Sequence, residues 1–94
     1  MTKGPNSKPY DLEERTYQFV ARCRQFLKKL LRTVVTVEDG RQLIRSSGSV
    51  AANYIEANES VSRKDFALRI KIARKEAKES HLYIRLCETR EGGL

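Results

Sequence analysis

LIRSSGSVAANYIEANE, residues Leu43 to Glu59, is a helix written in small residues. Successive residues turn through about 100°, so Leu43, Ile44, Ser47, Gly48, Val50, Ala51, Tyr54, Ile55 and Ala57 share one broad arc. Gln42, Ser46, Ser49, Asn53, Glu56 and Ser60 fall opposite. The small residues on the apolar arc let a neighbouring helix approach closely. The polar arc is short-chained, where an open helix face normally carries Lys and Glu. Ser and Asn compete with the helix for backbone hydrogen bonds. The polar arc is therefore expected to be covered, with Asn53 and Glu56 as a structural hydrogen-bonding pair. The alternative is a serine-rich solvent face.

Outward from this stretch, the chain reads as two further amphipathic helices. Before it, Leu12, Thr16, Phe19, Cys23, Phe26 and Leu30 alternate in steps of four and three, beside a second stripe of Tyr17, Val20, Leu27, Leu31 and Val34. Two stripes imply more than one helical neighbour. After it, Phe66, Ile70, Ala73, Ala77, Ser80, Ile84 and Cys87 keep the same alternation. The small residues of this third helix match those of the second, which predicts a close antiparallel pair. Asp11 with Glu14, Thr36 with Glu38 and Asp39, and Ser62 with Asp65 read as the helix starts. The expected organisation is a flexible leader over 1–10 and a single domain over 11–94, with helices near 12–32, 37–57 and 63–88. Gly92 and Gly93 read as a helix stop. The fold class is all-α: an antiparallel up-down helical bundle.

The chain has 94 residues, 19 Lys+Arg against 12 Asp+Glu, and a formal net charge of +7. That balance favours an anionic partner, nucleic acid first. It also serves solubility. No apolar run reaches the roughly 20 residues needed to cross a bilayer, and the first residues lack an apolar signal core. A cytoplasmic location is expected.

Chemistry finds little support. Cys23 and Cys87 sit on apolar faces and read as reduced core residues. With one His they do not make a structural zinc site. Glu79 and His81 are two residues apart, not in the Glu-x-x-His spacing of a bundle di-metal centre. His81 and Cys87 lie on different faces, which removes a nucleophile–base pair. No enzymatic role, metal, cofactor or small-molecule substrate is expected.

Basic stripes remain as candidates. Lys64, Lys71, Lys75, Lys78 and Arg85 align on the outer side of the third helix, with Arg74 adjacent. Arg22 and Lys29 belong to a similar row with Arg15 on the first. The candidate nucleic-acid-binding residues are Arg22, Lys29, Lys71, Arg74, Lys75, Lys78 and Arg85. They would meet phosphates as point charges, salt-sensitively and without reading sequence. No aromatic residue is interleaved for base stacking. Glu76 and Glu79 interrupt the third-helix stripe, and Lys75–Glu79 is a candidate intrahelical pair.

YDLEERTYQF, EDGRQLIRSSGSVAANYIEANES and KDFALRIKIARKEAKES resemble the four-helix-bundle proteins encoded in intervening sequences of bacterial 23S rRNA genes. SGSVAANYIEAN and IARKEAKES are the most specific segments. The resemblance implies an up-down bundle that assembles into homo-oligomeric rings, often pentamers. It also implies kinship with the basic accessory protein of diversity-generating retroelements, which binds nucleic acid. The family has a fourth helix after a glycine turn, and this chain stops at that turn. Either the reading frame is truncated or another subunit fills the place. The expectation is a non-enzymatic, homo-oligomeric bundle that binds RNA or DNA backbone through basic helix faces. The alternative is a structural adaptor bundle whose partners are proteins.

Overall fold

A computed structural model describes residues 9–30 and 32–92. Three helices follow in order: α1 (Pro9–Lys28), α2 (Val34–Asn58) and α3 (Arg63–Gly92). The leader expected over 1–10 falls outside the described residues as far as residue 8, and so does Gly93 of the expected stop.

Helix α1 begins at Pro9 rather than after Asp11. A proline's missing N–H costs nothing in a first turn, where that group has no intrahelical partner. Asp11 lies in that turn, and Glu14 accepts a 2.8 Å hydrogen bond from Gln18. The helix ends four residues before the expected Arg32. Lys29 and Leu30 close it with hydrogen bonds to the carbonyls of Phe26 and Leu27, tightening the final turn.

The early end follows from Thr33, not Thr36, capping α2. Thr33 has extended backbone (φ −124°, ψ 170°), and its hydroxyl accepts from the Thr36 N–H at 3.1 Å. In return the Thr33 N–H donates to Thr36 Oγ1 at 2.8 Å. This reciprocal box satisfies two otherwise unpaired donors and carries Val34 and Val35 into the first turn. At the other junction, Ser62 Oγ accepts from the Asp65 N–H at 3.1 Å and caps α3 as the sequence predicts.

Helix α2 lies between the other two, which scarcely meet each other. The result is a row of three antiparallel rods, 47 × 29 × 14 Å across its Cα atoms. Cys23, Leu30, Leu43, Val50, Ala57, Ala73 and Cys87 are the buried apolar residues, with Leu43 and Cys87 fully enclosed. Ser46, Ser47 and Ser80 are equally enclosed.

The polar arc of α2 is covered in part, as expected: Ser46 has no exposure and Asn53 is half-buried, while Glu56 is exposed. The apolar arc is less covered than expected, since Ile44 and Ile55 stand open. The closest approach uses serine rather than glycine. Ser46 Oγ and Ser80 Oγ meet at 2.8 Å across the α2–α3 seam. Each is also within reach of a carbonyl of its own helix, Leu43 at 3.5 Å and Glu76 at 3.0 Å. Gly48 faces no packed neighbour: a Cβ there would come no nearer than 4.0 Å to the Arg24 guanidinium. At Gly40 the nearest atom would be Leu27 Cδ2, at 3.3 Å.

Candidate nucleic-acid interface

Helix α3 buries one line of residues, Ala73, Ser80 and Cys87, seven apart, against α2. Half a turn away run Lys64, Lys71, Lys78 and Arg85, also seven apart, and all are exposed. Arg74 and Lys75 flank this line and are exposed too. The outer edge of the row of helices is thus a strip of cations on a single continuous helix.

The two carboxylates that interrupt the strip in sequence turn the other way in space. Arg45, on α2, reaches across and takes both: Nη1 lies 3.4 Å from Glu76 Oε1 and Nη2 lies 2.9 Å from Glu79 Oε1. The hydrogen bond to Glu79 pushes the Arg45 pKa further up. The expected Lys75–Glu79 pair does not form, because Glu79 is held toward α2. Among the described residues, neither these two ion pairs nor Arg41–Glu38 engages Lys64, Lys71, Lys75 or Lys78.

A second tie crosses the same seam. Arg69 Nη1 donates to Asn53 Oδ1 at 3.2 Å. The Asn53 amide donates to the Ser49 carbonyl at 3.0 Å and Ser49 Oγ at 3.1 Å. Asn53 is half-buried, as a covered residue should be. Glu56 is exposed and takes no part in this tie; its carbonyl accepts the Ser60 hydroxyl. The pair named from the sequence is in the structure Asn53 with Arg69.

The seven candidate cations do not form one site. Arg22 is exposed on α1 and Lys29 is exposed just past its end, both on the far side of α2 from α3. With axes 8–10 Å apart in packed helices, about two helix spacings separate them from Lys71, Arg74, Lys75, Lys78 and Arg85. Lys29 also lies beyond the end of α1, so the seven-residue phase it shares with Arg22 in sequence is broken. Arg45 and Arg69 escaped the sequence reading. Their signal was an arginine on an otherwise short-chained α2, and one on the inner side of α3.

His81 is exposed on α3. Both cysteines are buried and unbridged. Burial raises the Cys23 thiol pKa, opposed by a hydrogen bond with Ser47 and by nearby Arg24. Among the described residues, no three His, Cys, Asp or Glu side chains converge as a metal site would require. No described helix is long and apolar enough to cross a membrane.

No curated protein and no solved structure matches the chain. A family model described as 23S rRNA-intervening sequence protein matches residues 9–92, all three helices from end to end. The match runs through the Ser46–Ser80 seam and the Arg45 clamp. The chain therefore belongs to the 23S rRNA-intervening sequence protein family.

Proposed function

We propose that this family member acts without catalysis, as a homo-oligomeric cytoplasmic bundle that binds RNA or DNA backbone through the outer edge of α3. The observation that carries the reading is the diversion of Glu76 and Glu79 to Arg45, beside a strip of lysines that no described ion pair engages. Local carboxylates would otherwise cancel much of that strip's field. Arg22 and Lys29 lie outside this footprint.

Assembly is supported by open apolar side chains on all three helices. Tyr17, Ile44, Ile55, Leu68 and Leu82 are each more than two-fifths exposed, and where such side chains adjoin they make the apolar surface that association covers. The same surface favours the second reading, an adaptor bundle whose partner is another protein.

Fluorescence anisotropy on labelled RNA and DNA through a salt series separates the two. Binding that weakens linearly on a log–log salt plot supports the first reading. No binding at about 50 mM salt, where phosphate contacts are strong, by protein of intact helicity and molar mass, overturns it. Light scattering tests assembly: a mass at a multiple of 10.8 kDa is expected, and a stable monomer would remove the oligomer.

A further inference from the structure

Resting on the reading of α3 as a phosphate-binding edge, we infer that its ligand is a duplex rather than a single strand. Lys64, Lys71, Lys78 and Arg85 sit at seven-residue intervals on one helix. At 1.5 Å per residue they are about 10.5 Å apart and span about 32 Å. That span is close to one turn of a double helix, roughly 34–36 Å. A straight line of that length laid along a duplex crosses the backbones of both strands, whose relative position base pairing fixes. The backbone positions that carry the cations are also fixed relative to one another, because α3 is docked along α2 by the Ser46–Ser80 contact and the Arg45 clamp. Both backbones are ordered before they meet, so the ordering cost is confined to the lysine and arginine side chains.

A single strand meets the edge on poor terms. It has no second backbone to reach the alternate cations, and it would have to be straightened. Single-strand binders compensate with a basic groove and aromatic platforms. This edge is the convex outer side of a helix. The aromatics of α3, Phe66 and Tyr83, lie off the cation line, and Tyr83 is half-buried. Lys64 becomes part of the interface on this geometry, since it extends the line by one interval.

The test compares a 20-base-pair DNA duplex, a 20-base-pair RNA duplex and the unpaired strands of each, by anisotropy from about 50 to 200 mM salt. With three to four phosphates neutralised at about −0.9 per contact, duplex affinity falls by roughly 40- to 150-fold over that range. Lys71→Glu with Lys78→Glu lowers the slope by about two contacts, while Arg22→Glu with Lys29→Glu, the same change of charge on the far edge, leaves it within one. Far-UV circular dichroism melts confirm that both variants fold. Tight binding of either duplex, at least 10-fold over its single strands, is the expected result. Equal or tighter single-strand binding overturns the duplex assignment and leaves phosphate binding standing. So does a slope reduced as much by the α1 variant as by the α3 variant. Failure of every nucleic acid to bind removes both readings together.

Discussion

Gly48→Ala gives a sharp test of how α2 is placed. Gly48 lies in the interior of a 25-residue helix, with no positive φ among the described glycines. Glycine there costs about 0.8–1.0 kcal/mol relative to alanine, mainly through backbone freedom lost on folding. The added methyl carbon would stand 4.0 Å from one Arg24 nitrogen and meet nothing closer. No steric term opposes the gain, so the protein should be stabilised by nearly the full amount. For a domain of this size 1 kcal/mol raises Tm by about 4–8 °C. The assay is a thermal melt followed by circular dichroism, with urea unfolding at 25 °C for the free energy. A fall in Tm that does not vary with protein concentration would refute the reasoning, since it would mean that something within the protomer packs on the Gly48 side of α2; a fall that grows with concentration would instead place the proposed assembly surface there, beside Ile44 and Ile55. Gly40→Ala is the internal comparison. Its new carbon would sit 3.3 Å from the flexible end of Leu27, and its gain should be smaller than that at Gly48.

Four other outcomes are expected. Leu43→Ala removes a side chain with no exposure and should cost about 2–5 kcal/mol in urea unfolding. Ser46→Ala should cost about 1 kcal/mol, because Ser80 keeps its bond to the Glu76 carbonyl; Ser46→Leu, forced into a 2.8 Å contact, should cost about 1–3 kcal/mol or more. Thr33→Ala removes the hydroxyl half of the α2 cap, leaves the residue-33 N–H on Thr36 Oγ1, and should cost about 1 kcal/mol. Cys23, whose thiol pKa burial pushes above its ordinary value, should react slowly with a disulfide reagent at pH 8 and at once in urea. Because the unfolded thiol ionises first, its contribution to stability is whole below pH 9 and is lost as pH rises through the folded pKa.

The all-α class and the three helices were legible because period and small-residue pattern agreed along most of the chain. The misplaced start of α2 traces to threonine. Thr33 and Thr36 are both competent caps, and only the reciprocal bonding between them, a matter of backbone angle, selects the first. The covering of Ser46 was legible in the short side chains of its arc, and a buried serine satisfies its hydroxyl on its own helix, as Ser46 and Ser80 do. The open Ile44 and Ile55 were not, because apolar character alone does not say which side of α2 its neighbours leave uncovered. The cation rows were legible helix by helix. Sequence gave the phase of Lys71, Lys78 and Arg85, but not that α1 and α3 would lie on opposite sides of α2. The part played by Glu76 and Glu79 was hidden because their partner, Arg45, is more than 30 residues away and belongs to another helix.

Helix α1 has one neighbour where α2 has two, and that bears on the order in which the molecule comes apart. The hairpin of α2 and α3 is stitched by serine, asparagine and arginine contacts along its length. The described ties from α1 to α2 are sparser, among them Glu13 to Asn58 at 2.6 Å. Amide protons of α1 should therefore exchange with solvent through a shallower opening than those of the hairpin. Mass spectrometry of deuterium uptake would see the first rod peel away while the other two stay zipped.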